Sequence, residues 1–186
     1  MIALGIDQSM EGVAGFAVID LEANTILHTR IETYAQDRNK NLVDRTKRIP
    51  KNDIRWRCTR FAIIVQELIK TWVPDIVITE LVRTYHQGYR DPVVVASLSA
   101  IYGALCLVVQ KPIPIVSENT GTWQSAILHP RKGQDRKALS RAFVLKYYGL
   151  TVTEHEADAI CMCRAYPILL NDHAVMNNKD CIRILV

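Results

Sequence analysis

The chain has 186 residues, of which 49% are hydrophobic and 23% charged, a composition typical of one globular domain and not of a disordered chain. No segment approaches the roughly 18 consecutive apolar residues that a membrane span requires. No basic segment followed by an apolar stretch opens the chain, so we expect no signal peptide and a cytoplasmic protein (in the nucleoid, or in the host cytoplasm if phage-encoded).

The net charge of +4 is unevenly distributed. Residues 38–60 contain nine Lys or Arg against two Asp, and residues 129–146 contain six against one, while the remainder is acidic. Two basic tracts on an acidic body predict a surface that binds a polyanion such as a nucleic acid. For either tract alone, a solvated surface face is the alternative interpretation.

The five cysteines are scattered, which is typical of reduced thiols. Cys161 and Cys163 form a C-x-C pair, but no second pair completes a zinc site. Core packing is therefore the favoured interpretation of both.

The chain begins with a predicted meander of three strands. Ile2–Asp7 is a short apolar strand that ends in an acid, Gly15–Asp20 is its predicted hairpin partner, and His28–Thr33 is the third strand. The polar residues 34–52 predict a loop or a short helix.

A helix and a second buried strand follow. Arg57–Trp72 places apolar residues on one helical face, and Pro74 ends the pattern. Asp75–Glu80 is a β-branched, buried strand that again ends in an acid.

Small and apolar residues over Pro92–Val109 predict a helix packed closely on a sheet, and Ile113–Ser117 predicts another strand. Three further helices are predicted, the last ended by Pro167: Asn119–Leu128, Arg136–Tyr148 and Glu154–Tyr166. This order predicts an α/β domain over residues 1–166, a mixed sheet with helices on its faces, and a C-terminal tail of the same domain over 167–186.

Asp7 and Glu80 each follow a predicted apolar strand. Ligands gather at the carboxyl ends of strands in open α/β sheets, and an unpaired carboxylate is too costly to serve as core filler. For either residue alone, a surface acid at the start of a turn is the alternative.

The last predicted helix carries a third polar group. His155 and Asp158 are three residues apart and lie on one face, whereas Glu156 points about a quarter circle away. Glu154, four residues before Asp158, is a second acid that could lie on the same helical face as Asp158. First-turn acids also favour a helix N-terminus, which explains Glu154 and Glu156 but not the pairing of His155 with Asp158.

Carboxylates from two strands and one helix are the ligands that Mg²⁺ or Mn²⁺ requires. Two such ions about 4 Å apart can activate water and stabilise the leaving oxygen in phosphodiester hydrolysis. We expect Asp7 to bridge the two ions, Glu80 and Asp158 each to complete one, and His155 to bind an ion or to act as a general base. An imidazole ligand favours Mn²⁺.

These segments resemble the RuvC family of Holliday junction resolvases. The matching pieces occur in the family's order over residues 1–166: Ala3-Leu4-Gly5-Ile6-Asp7, Gly15-Phe16-Ala17-Val18-Ile19, Pro74-Asp75-Ile76-Val77-Ile78-Thr79-Glu80, Gly103, Lys137, and His155-Glu156-Ala157-Asp158-Ala159-Ile160.

The resemblance implies a ribonuclease-H-like mixed five-stranded sheet flanked by helices, and a crossover junction endodeoxyribonuclease that resolves four-way and other branched DNA by paired nicks. It implies a homodimer with one active site per subunit. It also implies metal ligation by Asp7, Glu80 and Asp158, with His155 at a position where the family has an acid or a histidine, and Lys137 near the scissile phosphate.

The predicted DNA contacts are of two kinds. Four basic residues are expected to grip the phosphate backbone without reading bases: Arg131, Lys132, Arg136 and Arg141. Tyr85 and His86, with Tyr89 nearby, follow Glu80 and could stack on unpaired bases at a crossover, or could be ordinary loop residues.

The chain departs from the family pattern at several places. Gln8-Ser9 follows the first acid where the family commonly has Pro-Gly, and Arg83 stands where the family has a wedging aromatic residue. The basic stretch after residue 38 is longer than bacterial members have. These differences suggest a divergent branch from a phage or a virus.

Three other functions fit parts of the sequence. An ATP-binding fragment of the actin and sugar-kinase type also has an acid after its first strand, but it needs two similar domains. The second is a protein that binds branched DNA without nuclease activity, but such a protein would have no need to keep the three acids Asp7, Glu80 and Asp158. A ribonuclease-H-type nuclease on RNA–DNA hybrids shares the fold and remains the alternative nearest in chemistry.

Overall fold

A computed structural model describes residues 1–9, 12–33, 54–80, 92–109, 112–175 and 183–184. The strands are β1 (Ile2–Gln8), β2 (Val13–Asp20), β3 (Thr25–Thr33), β4 (Ile76–Glu80), β5 (Ile115–Glu118) and β6 (Arg183–Ile184). The helices are α1 (Ile54–Trp72), α2 (Pro92–Val108), α3 (Thr120–Ile127), α4 (Arg136–Tyr148) and α5 (Glu154–Val175).

The strands form one mixed sheet in the order β3-β2-β1-β4-β5-β6. The pairs β1–β2 and β2–β3 are antiparallel, as the predicted meander requires, and β4 joins the other side of β1 in parallel, followed by β5 in parallel. The predicted five-stranded mixed sheet is thus confirmed. The two-residue β6, which pairs antiparallel with β5, was not predicted.

The two faces of the sheet have separate cores. Alternate residues of β1 show the division, because Leu4 and Ile6 pack in the cluster that contains residues of α1 and α2, whereas Ala3 packs in the cluster that contains residues of α5. On that second face α5 also contacts α3 and α4. The result is a three-layer α/β/α domain in which α5 crosses the middle of the sheet.

Local signals explain why most helix bounds agree with the predicted ones. Helix α4 has the predicted bounds because the Asp135 side chain accepts hydrogen bonds from the N–H groups of Lys137 and Ala138, and Gly149 ends the helix in a left-handed conformation (φ 68°). Strands β2 and β3 each begin a few residues earlier than predicted, because their pairing extends from Val13 opposite Thr33 to Asp20 opposite Thr25.

The prediction that Pro167 ends the last helix is wrong, because α5 continues through Pro167 to Val175. A proline removes one backbone donor and crowds the preceding turn, but it does not by itself end a helix whose packing continues. Leu169, which is buried in the α5 core cluster, supplies that packing beyond the proline.

The four described cysteines are free thiols, and Cys161 and Cys163 are fully buried in the core, as the packing interpretation predicted. Cys181 lies outside the described residues. Of the helices that the structure describes, none combines the length and the apolar character that crossing a membrane demands.

Candidate active site

Asp7 and Glu80 lie side by side at one edge of the sheet. Ile6 is the register partner of Thr79 in the parallel pair β1–β4, so the next residues, Asp7 near the end of β1 and Glu80 at the end of β4, lie at the same level. Side chains alternate between the two faces along a strand, so Asp7 is on the same face as Ala3, and Glu80 is on the same face as Ile78. Ala3 and Ile78 pack on the α5 face. The two strand-end acids singled out in the sequence therefore face the same helix.

Two glycines allow α5 to approach this edge closely. Gly15 on β2 is the register partner of Asp7, and a Cβ atom added there would overlap the backbone carbonyl of His155 and lie 2.5 Å from the nitrogen of Glu156. A Cβ atom added at Gly5 would lie 2.6 Å from the Cys163 sulfur. Because larger residues cannot fit here, the first turn of α5 lies directly beside Asp7.

A capping box fixes where α5 begins. The Glu156 carboxylate accepts hydrogen bonds from the backbone N–H (3.0 Å) and the hydroxyl (2.7 Å) of Thr153, and the Glu156 N–H points back to that hydroxyl at 3.4 Å. Glu156 is therefore used in capping and not at the candidate site. The cap sets the rotation of the helix and thereby the positions of His155 and Asp158.

His155 contacts Asp7 directly, with its Nδ1 atom 2.6 Å from Asp7 Oδ2. This hydrogen bond raises the pKa of His155 above its ordinary value, against the opposing effect of burial, and the charges of Asp7 and Glu154 add to the rise. Since an ionised carboxylate can only accept, Nδ1 carries a proton and Nε2 is the other reactive nitrogen of the ring. Nε2 lies 3.8 Å from Glu154 Oε1.

Asp158 is largely buried on the same helix. Burial raises the pKa of its carboxyl to about 7; the Ser140 hydroxyl lowers it, and the nearby negative charges of Asp7 and Glu80 raise it further. Asp7 and Glu80 therefore both act electrostatically on Asp158. Its Oδ1 atom is buried and has no hydrogen-bond partner among the described residues.

Lys137, in the first turn of α4, reaches the same region through Glu154. Its Nζ atom lies 2.6 Å from Glu154 Oε1, the carboxylate oxygen that also lies near His155. The Glu154 carboxylate raises the pKa of Lys137, and the charges of Asp158 and Asp7 act in the same direction. Glu154 thus forms an ion pair with Lys137 and also acts on the charge of His155.

The other predicted DNA contacts divide into two groups. Arg131, Lys132 and Arg141 are exposed on or near α4, and Arg136 is exposed although its Nη1 atom donates to Gln124 Oε1 at 2.9 Å. Tyr85 and His86, with Tyr89, lie outside the described residues, as does most of the basic tract before residue 54.

Sequence reasoning missed two residues at this edge. Trp123 is fully buried, and its Nε1 atom donates to Glu80 Oε1 at 3.1 Å. Glu118 is the register partner of Glu80 on β5, is 3% exposed, and has a pKa raised to about 8 by burial. The signal used for Asp7 and Glu80, an acid that ends an apolar strand, also marks Glu118, but the predicted strand stopped one residue short. No local pattern marks Trp123.

Across the described part of the chain, no three His, Cys, Asp or Glu side chains are already grouped as a metal site. The donor chemistry nevertheless fits a hard divalent cation, because Asp7, Glu80 and Asp158 offer carboxylate oxygens and the buried Asp158 Oδ1 has no partner in the described residues. A cation would also offset the charge that burial makes costly at Asp158.

No protein-family model matches the chain, and no curated protein matches it in sequence. Among solved structures, it is similar to Thermus thermophilus RuvC in complex with a Holliday junction substrate (TM-score 0.67, 17% identity, covering 92% of this chain and 96% of that one). It is also similar to a second Thermus thermophilus RuvC structure (TM-score 0.61, 19% identity, 92% and 96% covered). The yeast mitochondrial Holliday junction resolvase Ydc2 matches with a TM-score of 0.49 at 15% identity, covering 88% and 76%. The chain has a RuvC-like, ribonuclease-H-like fold, as the sequence resemblance implied.

Proposed function

We propose that this protein is a metal-dependent endonuclease that cuts four-way junctions and other branched DNA by paired nicks. The observation that carries the proposal is the 2.6 Å contact between His155 of α5 and Asp7 of β1, on the strand that pairs in parallel with the strand of Glu80. The RuvC-like fold supports the choice of branched DNA over other phosphodiesters, because one of the similar structures contains a Holliday junction substrate.

In this proposal Asp7, Glu80 and Asp158 hold Mg²⁺ or Mn²⁺, two ions per active site, and His155 is a fourth candidate ligand. When bound, the ions supply Lewis-acid stabilisation of the charge that develops on a phosphodiester during hydrolysis. Burial raises the pKa of Asp158 to about 7, although the Ser140 hydroxyl and the charge of His155 both lower it. A bound cation would keep Asp158 ionised at neutral pH.

The Asp7–His155 contact gives the imidazole a defined role. Asp7 accepts a hydrogen bond from Nδ1 of His155, so the ring, when neutral, would keep its proton on Nδ1 and could accept a hydrogen bond or a proton at Nε2. His155 in this state can orient an attacking water or take its proton. Asp7 therefore both offers a carboxylate to a cation and orients the imidazole.

The basic side of the site would contact phosphate. Lys137 is held next to His155 by Glu154 and is protonated, so it can neutralise negative charge at a scissile phosphate. The exposed Arg131, Lys132 and Arg141, together with Arg136, would bind backbone phosphates on either side without reading bases. Such contacts predict binding that weakens steeply with salt.

Two symmetric nicks in a four-way junction require two active sites, so the proposal includes a homodimer with one site in each subunit. The residues expected to stack on unpaired bases at the crossover, Tyr85 and His86, come after Leu81-Val82-Arg83-Thr84, the segment that follows Glu80 in the sequence.

A gel assay with labelled synthetic DNA substrates tests the proposed nuclease activity. We expect the full chain to nick a four-way junction symmetrically with Mg²⁺ or Mn²⁺, to leave it intact with a chelator, and to cut a plain duplex far less. Asp7→Asn is the matched control, since it keeps the side-chain shape but removes the charge; we expect it to bind the junction without cutting it.

Each alternative has its own outcome in the same assay. Preferential cutting of an RNA–DNA hybrid would identify a ribonuclease-H-type enzyme instead. Junction binding without cutting under any metal condition would indicate a binding protein without activity. Full cutting by Asp7→Asn would exclude Asp7 as a ligand.

A further inference from the structure

Trp123 reaches the candidate site from the helix that follows β5. The Asn119 side chain accepts a hydrogen bond from Gly121 N at 3.1 Å, so α3 begins immediately after β5. Because β5 pairs with β4, the first turn of α3 starts at the sheet edge where Glu80 ends its strand. Trp123 lies in that first turn.

The environment of Trp123 combines a packed ring with one polar contact. The side chain is 0% exposed and belongs to the core cluster that includes Ala157 and Ile160 of α5. A buried indole N–H needs an acceptor. The acceptor is Glu80 Oε1, at 3.1 Å from Nε1.

We propose that Trp123 is a positioning residue for Glu80, and that its indole N–H holds the carboxylate in the orientation in which it binds a divalent cation. A glutamate side chain has several rotatable bonds, so a free strand-end glutamate would lose rotamer freedom on binding a cation. A rigid, fully packed donor restricts Glu80 before the cation arrives. This inference rests on the proposed role of Glu80 in the active site.

The decisive substitution is Trp123→Phe, which keeps an aromatic ring in the core and removes the donor. Trp72→Phe is the matched control, because Trp72 is stacked on His28 and packs with the core on the opposite face of the sheet. Mn²⁺ affinity is measured by calorimetry on the full chain, and the Mn²⁺ concentration for half-maximal junction cutting is measured in parallel.

Loss of a hydrogen bond to a metal ligand typically weakens metal affinity or activity by about 10- to 100-fold. We expect Trp123→Phe to weaken Mn²⁺ binding by about tenfold, to raise the half-maximal Mn²⁺ concentration to the same extent, and to leave the rate at saturating Mn²⁺ much less affected. Trp72→Phe should change neither quantity. Unchanged Mn²⁺ affinity in a folded Trp123→Phe protein would overturn the inference.

A double-mutant cycle separates positioning from packing. In a Glu80→Gln background, Trp123→Phe should cause little further loss of Mn²⁺ affinity, because its effect passes through the Glu80 carboxylate. An equal tenfold loss in both backgrounds would show that Trp123 acts by packing alone, and would overturn the inference.

A second measurement uses the wild-type ring and applies even if Trp123→Phe fails to fold. The indole N–H signal of Trp123 in nuclear magnetic resonance should shift in Glu80→Gln and should move on titration of the wild-type protein with Mg²⁺. An indole signal that responds to neither change would overturn the inference. Failure of the proposed function is distinguishable, because the wild-type protein would then neither bind Mn²⁺ nor cut the junction, while the Glu80→Gln comparison still reports on the hydrogen bond.

Discussion

His155 Nδ1 lies 2.6 Å from Asp7 Oδ2, a hydrogen bond between residues 148 positions apart in the chain. It joins the end of β1 to the first turn of α5. The contact raises the pKa of His155, and the neighbouring Glu154 carboxylate strengthens the effect. The imidazole at this edge therefore holds a proton more readily than a free histidine does.

This contact predicts a pH-dependent contribution of His155 to stability. Because the folded-state pKa is raised above 6.5, protonated His155 stabilises the fold fully below pH 6.5, and this stabilisation is lost as pH rises through the raised value. We expect the difference in Tm between wild type and His155→Gln to be largest in acid and to shrink in alkali. Thermal unfolding across pH in the presence of a chelator checks this, and a difference that does not change with pH would contradict it.

Asp158→Asn is expected to stabilise the protein when no metal is present. Burial raises the pKa of Asp158 from 3.8 to about 7, so ionisation costs the folded state increasingly above pH 3.8, and the full cost applies above pH 7. At pH 8 with a chelator, we expect a gain of about 1–2 kcal/mol in unfolding free energy, or roughly 2–8 °C in Tm. Added Mg²⁺ should raise the Tm of the wild type but not that of Asp158→Asn.

Asp20→Asn is the matched control for that substitution. The pKa of Asp20 is lowered, chiefly by hydrogen bonds from the N–H groups of Ala23 and Glu22, so its charge favours the folded state. Asp20→Asn should therefore lower the Tm at pH 8 where Asp158→Asn raises it. The same sign in both variants would contradict the assignment of a burial cost to Asp158.

Lys137→Ala should slow cutting more than it weakens binding. Lys137 is held at the site by Glu154, whereas the exposed Lys132 lies in the loop before α4. We expect Lys137→Ala to lower the single-turnover cutting rate at least about tenfold with a small change in junction affinity. Lys132→Ala should mainly weaken binding and lower its salt dependence. Equal losses of rate and affinity in Lys137→Ala would make it an ordinary phosphate contact.

Gly15→Ala should damage both the fold and the site. The added methyl would overlap the backbone of His155, which cannot move without displacing the start of α5. We expect a loss of about 1–3 kcal/mol in stability and a much lower cutting rate. Gly103→Ala in α2 is the control, since a Cβ atom there has open space; it should be neutral or slightly stabilising. Unfolding in urea and the junction assay measure the two effects.

Much of the fold could be predicted from local patterns. Alternating or continuous apolar runs predicted the strands, and helical periodicity predicted the helices. The predicted bounds of α4 were confirmed, because they depend on residues near one another in the chain. The same reasoning selected Asp7 and Glu80, since an acid at the end of an apolar strand stands out without any knowledge of the partner strand. The same reasoning gave a wrong helix end at Pro167, because the packing of Leu169 stabilises the helix beyond the proline.

The sequence by itself determined most of the strands and helices and placed Asp7 and Glu80 at or next to strand ends, because those properties follow from side-chain type and spacing over a few residues. Only the tertiary structure decided that α5 packs closely against Gly15, that His155 contacts Asp7, and that Trp123 donates a hydrogen bond to Glu80. These contacts depend on strand order, register and the angle of a packed helix. Those are set by the free energy of the whole core and leave no signature in any short segment.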